Sequence, residues 1–128
     1  MKIIGNGVDI IQNSRIKKLL ENPKFLLRVF SKGEIKASKK IKNKTNFFAK
    51  RFAAKEAFVK SIGTGFRKSI NFKDIYVKNN RLGKPKILFN NKVKNIMVKK
   101  FKSKKFNVFL SLSDEKRYSI AYVIINKL

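Results

Sequence analysis

Thr45-Asn46-Phe47-Phe48-Ala49-Lys50-Arg51-Phe52-Ala53-Ala54-Lys55-Glu56-Ala57-Phe58-Val59-Lys60-Ser61-Ile62 is the stretch that decides the fold. Good helix formers run through it without a proline or a glycine, so its residues are expected to form one long α-helix. Gly63-Thr64-Gly65 follows. A glycine at that point suits the left-handed residue that closes many helices.

Working outward, residues 3–11 read as a strand with Ile4, Val8 and Ile10 on one face and Asp9 on the other. Asn13 or Ser14 is expected to cap a short helix whose Ile16, Leu19 and Leu20 face inward, and Asn22-Pro23 to end it. Ser31-Lys32-Gly33-Glu34 has the spacing of a capping box, so another helix should start there. Residues 36–44 are polar and basic, and a mobile loop is expected. Beyond the long helix, residues 74–78 and 86–89 read as strands around a turn at 79–85. Val93, Ile96, Met97 and Lys100 mark an amphipathic helix, and residues 108–113 and 118–125 a closing hairpin around Asp114-Glu115-Lys116-Arg117. The fold class is α+β: a small, mostly antiparallel sheet packed on one long helix, with additional short helices, in a single domain over 1–128.

Composition narrows the chemistry. Twelve phenylalanines can fill a core, while the absence of cysteine removes disulfides, thiol nucleophiles and cysteine metal sites. Histidine is also absent, so acid–base work falls to a carboxylate, lysine, tyrosine or metal-bound water. The apolar run at the N-terminus is too short for a signal peptide, and none approaches the roughly 18 residues of a membrane span. A cytoplasmic protein is expected. The 33 basic and 7 acidic residues give a net charge of +26, a field that attracts polyanions or acidic proteins. Lys, Ile and Asn are abundant everywhere, which codon composition alone can produce, so charge by itself names no partner. A nucleic-acid-binding module would use such charge, yet most phenylalanines sit at core-like spacing rather than interleaved with lysine as a stacking platform.

The scarce carboxylates can be weighed singly. Glu21, Asp74 and Glu115 stand at element ends or turns, where solvated or capping roles suffice, and Glu34 has its capping box. Asp9 and Glu56 are different. Asp9 interrupts an apolar strand after Gly5 and Gly7, and aspartate is a poor strand residue. Glu56 follows Phe52 by four residues and precedes Val59 by three, which puts it on the apolar stripe of the helix. A carboxylate there needs a partner: a salt bridge to Lys60, one turn on, or to another lysine, or else a metal ion. Two carboxylates beside a phosphate ligand commonly hold Mg²⁺. Arg51, Lys55 and Lys60 on the same helix offer a basic face for phosphates.

Residues 48–65 closely resemble the signature helix of the holo-[acyl-carrier-protein] synthases. Gly5-Asn6-Gly7-Val8-Asp9-Ile10 resembles that family's first strand, and Gly83-Lys84-Pro85 and Ser111-Leu112-Ser113-Asp114-Glu115 through Tyr118 resemble its later landmarks, in order. The resemblance spans the whole chain. It implies Mg²⁺-dependent transfer of 4′-phosphopantetheine from coenzyme A to a serine of apo-acyl carrier protein, in support of fatty acid biosynthesis, with release of adenosine 3′,5′-bisphosphate. It also implies a homotrimer with active sites between subunits. By position, Asp9 and Glu56 are the metal ligands and catalytic residues. Arg51, Lys60, Gly63, Thr64 and Gly65 face the coenzyme's phosphates, Lys84, Pro85, Ser111 and Asp114 lie near its adenosine end, and Arg15 meets the acidic carrier. Many relatives have histidine where this chain has Asp114. The serine's proton would go to Glu56 or to a water activated by the metal, the latter being preferred.

Overall fold

The computed structural model describes residues 1–64 and 69–128. In chain order the elements begin with β1 (Lys2–Gln12), α1 (Asn13–Leu19), α2 (Pro23–Val29), α3 (Lys32–Ser38) and α4 (Lys44–Ile62). A 3₁₀ turn (Phe72–Asp74) leads into β2 (Ile75–Asn79) and β3 (Pro85–Phe89), followed by α5 (Asn91–Phe101), β4 (Phe106–Asp114) and β5 (Tyr118–Lys127). The expected long helix is therefore present, and Gly63 closes it at φ +80°. β1, β5 and β4 form one antiparallel sheet in that order, while β2 and β3 pair as a separate antiparallel hairpin.

α4 lies against the three-stranded sheet and is buried on most of its circumference. The closest approach is at β1. A Cβ added to Gly5 would come within 2.0 Å of the Ser61 carbonyl oxygen, and one added to Gly7 within 2.0 Å of the Ala57 carbonyl oxygen. Strand backbone thus rests directly on helix backbone, which only glycine permits. Behind the helix, aromatic pairs fill the core: Phe30 on Phe48 at 4.6 Å, Phe52 stacked on Phe72 at 5.4 Å, and Phe58 stacked on Phe89 at 5.4 Å.

This packing turns β1 in a way its pattern conceals. Gly7 and Ile11 are buried and Asp9 half-buried on the helix side, while Val8 and Ile10 are 53% and 58% exposed. The apolar face of β1 is its outer face. Directly paired residues share a face, so Val8 with Tyr122 and Ile10 with Ile120 form an apolar outer surface, which Phe109 on β4 extends.

Several local expectations change. Asn13 does not cap α1. It is buried inside the first turn, where its amide donates to the carbonyls of Glu115 and Lys116 and its oxygen accepts from the Ser119 hydroxyl. Ser14 does not cap it either; the cap position falls on Gln12, with no side-chain bond. Leu19 is 40% exposed rather than inward. Asn22 caps α2, a helix absent from the sequence reading, with Pro23 in its first turn where a missing N–H is harmless. Residues 36–44 are not one loop: α3 runs to Ser38, and the short turn after it ends at Asn43, whose side chain caps α4 through the Asn46 N–H. Asp74 lies in the 3₁₀ turn rather than in β2, accepting from the Asn71 N–H at 2.8 Å.

The capping box at Ser31 and Glu34 is present, but Glu34 does more than cap. Its carboxylate, 2% exposed, accepts from the Val77 N–H and from Lys55 Nζ at 2.8 Å. Lys55, fully buried, also donates to the carbonyls of Val29 and Phe72. One ion pair therefore joins the end of α2, α3, α4, the 3₁₀ turn and β2. Lys55 is not part of a phosphate-binding face. Among the described residues no helix is long and apolar enough to cross a membrane.

Two substitutions test these contacts by thermal melting. Gly7→Ala pushes backbone against backbone, with no flexible side chain to yield, and should cost about 3 kcal/mol or more, the upper end for overpacking. Glu34→Ala should cost roughly 3–5 kcal/mol by stranding the Lys55 ammonium, and Glu34→Leu combined with Lys55→Met should recover much of that loss.

Candidate active site

Because the glycines seat β1 on α4, the next inward residue of the strand, Asp9, comes to rest beside the helix face carrying Glu56 and Lys60. Lys60 does not pair with Glu56. Its ammonium reaches across to Asp9 Oδ1 at 3.0 Å and to the Val8 carbonyl at 3.1 Å. Glu56 is half-buried at the edge of the apolar stripe, and among the described residues it makes no salt bridge. Phe52, Glu56 and Lys60 mark that edge, passing from half-buried to exposed.

The electrostatics bear the mark of this crowding. Burial raises the Asp9 carboxyl above its ordinary 3.8, against the hydrogen bond and charge of Lys60 and the charge of Arg15. Burial also raises Glu56 above its ordinary 4.5, the charge of Asp9 raises it further, and Lys60 offsets this only in part. Two carboxylates thus share one site with a single ammonium between them. Arg15, exposed on α1, contributes to the field at Asp9.

A second group of residues gathers elsewhere. Arg51, Lys84, Pro85 and Ser111 line one cleft of about 360 Å³ together with Lys50, Asn79 and Gly83. Arg51 is 5% exposed and lies 3.5 Å over the Phe47 ring, donating to the Phe47 carbonyl and to Asn79 Oδ1. Its Nε, also buried, has no hydrogen-bond partner among the described residues. Burial pulls the guanidinium down to about 10 against the opposing charge of Glu34, so it stays charged at neutral pH. Asp114 is joined to this cleft through Lys50, 3.4 Å away, and holds the Asn46 amide at 2.9 Å. Arg51 and Glu56 are five residues apart and so project about 140° from one another around α4. Within one chain, Arg51 therefore belongs to the cleft and not to the Asp9–Glu56 group. Gly63 and Thr64 follow the end of α4, beyond Lys60; Gly65 lies outside the described residues.

Sequence reasoning missed Lys50, Asn46 and Asn79 as companions of the cleft, and nothing in their spacing marks them. It also missed the Lys55–Glu34 pair, although Lys55 carries a usable signal. Phe48, Arg51, Lys55, Phe58 and Ile62 recur at helical spacing, which puts Lys55 deeper in the stripe than Glu56.

The comparisons with known proteins meet this geometry. Residues 5–123 match the model of the 4′-phosphopantetheinyl transferase superfamily, a range that contains both groups of residues. The chain belongs to that superfamily. Within it, the chain is 60% identical to a holo-[acyl-carrier-protein] synthase of Pelagibacter ubique, with 99% of each chain covered. Among solved structures it resembles the Bacillus anthracis holo-(acyl-carrier-protein) synthase in complex with coenzyme A (3′,5′-ADP), at 36% identity, a TM-score of 0.82 and 98% coverage of both chains. The Neisseria meningitidis holo-[acyl-carrier-protein] synthase gives a TM-score of 0.84 at 31% identity, covering 98% of this chain and all of that one. This superfamily member is thus an enzyme of the holo-[acyl-carrier-protein] synthase type, with the α+β fold of its solved relatives.

The carboxylate pair has a measurable consequence in metal-free protein. A carboxyl whose pKa is higher folded than unfolded binds its proton more tightly in the native state. Its contribution to stability is then favourable at low pH and is lost as pH rises through the folded value. Stability in EDTA should accordingly fall as pH climbs from the ordinary values of 3.8 and 4.5 through the raised ones. Glu56→Gln should flatten that slope and melt higher than the parent at pH 7, as differential scanning calorimetry across pH would report.

Proposed function

We propose that this enzyme transfers 4′-phosphopantetheine from coenzyme A to a serine of apo-acyl carrier protein in a Mg²⁺-dependent reaction that releases adenosine 3′,5′-bisphosphate and supplies fatty acid biosynthesis in the cytoplasm. The observation that carries the metal dependence is the Asp9–Glu56 pair: two crowded carboxylates whose pKa values burial raises, offset only in part by Lys60 and, at Asp9, by Arg15. The donor set is oxygen alone, from a chain without histidine or cysteine, which fits a hard cation and not zinc. Among the described residues no third acidic group joins the pair, as suits an ion that keeps waters and takes phosphate oxygens. Bound there, Mg²⁺ would supply positive charge for the coenzyme's pyrophosphate.

The chain's own residues divide the remaining work. Lys60, held by Asp9 and the Val8 carbonyl, is aimed to stabilise charge on the leaving bisphosphate. Gly63 and Thr64 continue the phosphate-facing surface, with Gly65 assigned to it by resemblance. Glu56 Oε would be the protein-side alternative to a metal-activated water, the preferred acceptor, for the serine proton as its oxygen attacks the β-phosphorus. Arg51, Lys84, Pro85, Ser111 and Asp114 would hold the coenzyme's adenosine end.

That division favours a homotrimer. The metal pair and the adenosine cleft face different directions on one chain, so a site made across a subunit boundary can join one chain's pair to its neighbour's cleft. The outer face bearing Val8, Ile10, Ile120, Tyr122 and Phe109 offers the apolar surface for such an assembly. Arg15, exposed on α1 and felt by Asp9, would meet an acidic carrier at the mouth of the site.

Incubation with coenzyme A, Mg²⁺ and apo-carrier, read by mass spectrometry, should yield the carrier's phosphopantetheine adduct. Asp9→Ala and Glu56→Ala should each remain folded and lose transfer. A Glu56→Ala protein that melts far below the parent yet keeps Mg²⁺-dependent transfer would overturn the metal assignment. Arg15→Glu should raise the carrier's KM roughly tenfold while leaving that of coenzyme A nearly unchanged, with added salt weakening the carrier interaction in the parent.

A further inference from the structure

The C-terminal end of a helix is the wrong pole for a phosphate. Aligned peptide dipoles leave roughly half a negative charge there, and α4 ends at the turn proposed to face the coenzyme's phosphates. Lys60 compensates only in part, because its ammonium is already held by Asp9 and the Val8 carbonyl.

A second cation arrives from another element. Lys100, near the end of α5, donates from Nζ to the carbonyl oxygen of Ile62, the last residue of α4. The Val59 and Lys60 carbonyls are already met by the Gly63 N–H, and Lys100 meets the carbonyl of the helix's last residue. Room for it comes from Gly63: a Cβ there would lie 2.8 Å from Lys100 Nζ, and the residue's φ is +80°. The glycine therefore serves both the left-handed turn and the seat of the ammonium. Among the described residues no carboxylate pairs with Lys100, so its charge is not cancelled.

We propose that Lys100 is a positioning residue for coenzyme A. Its ammonium offsets the negative pole of α4, and its bond to Ile62 fixes the start of the Gly63–Thr64 turn, so that an anionic coenzyme can approach this end of the helix. The proposal rests on the reading that the phosphates bind here. Lys100 acts through the turn and the local field and has no part in bond making or proton transfer. In the sequence it registers only as one position of the amphipathic pattern of α5.

The test compares Lys100→Met, Lys100→Arg and Lys60→Met in steady-state transfer and in calorimetric binding of adenosine 3′,5′-bisphosphate. Lys100→Met should raise the KM for coenzyme A and weaken bisphosphate binding about fivefold, with kcat and the carrier's KM within about twofold of the parent. Lys100→Arg should restore both, since a guanidinium keeps the charge and the donor. If Lys60→Met weakens coenzyme binding and Lys100→Met does not, Lys100 merely packs and the proposal fails while the phosphate site stands. A Lys100→Met protein that melts lower with coenzyme binding unchanged overturns the proposal in the same way. If neither variant changes coenzyme binding, the phosphates lie elsewhere, and the phosphate site falls together with the proposal.

Discussion

Everything at the candidate active site follows from the seam where β1 lies on α4 with no side chain between them. Gly5 faces Ser61 and Gly7 faces Ala57, each at a distance that excludes even a methyl group. This contact fixes the height of the strand above the helix, its rotation and its register, and with them the position of Asp9. A conventional interface, with side chains between the elements, would hold the two backbones farther apart. Asp9 would then stand away from the helix face that carries Glu56 and Lys60. The crowding that raises both carboxyl pKa values is thus a product of main-chain geometry.

The Lys55–Glu34 pair plays the corresponding part on the opposite side of α4. It is fully buried, and each charged atom is satisfied by backbone groups as well as by its partner, which is the condition under which a buried ion pair is tolerated. Arg51, one turn earlier, sits in the field of Glu34 and lines the cleft it shares with Lys84, Pro85 and Ser111. The helix therefore presents chemistry on two sides, anchored by glycine contacts on one and by an ion pair on the other. Consecutive residues Lys55 and Glu56 belong to different systems because they point about 100° apart.

How legible all this was depended on what each signal measures. The long helix, its glycine stop, the β2–β3 hairpin and the closing β4–β5 hairpin were readable because formers, breakers and turn residues are local properties. Asp9 and Glu56 stood out because a carboxylate in apolar surroundings is costly wherever the chain goes. The orientation of β1 was not readable. Its large apolar residues, Val8 and Ile10, point outward while its glycines point in, and a pattern of side chains says nothing about a surface made of backbone. Asn13 looked like a cap because asparagine favours caps, yet its amide is taken by carbonyls more than a hundred positions later in the chain. Glu34 had a sufficient local role in its capping box, and that local sufficiency hid its long-range partner.

A seam of this kind also separates what can vary in the protein from what cannot. The spacing of the two carboxylates is set by atoms common to every residue, so it is indifferent to the identity of nearly all the side chains around it. Substitutions elsewhere can turn surface positions into lysine, or trade one aromatic for another in the core, without moving Asp9 relative to Glu56. The sites closed to change are few and small: two glycines, the carboxylates themselves and the cation that reaches between them. A chain can then accumulate an extreme composition over most of its length while its carboxylate pair keeps one geometry.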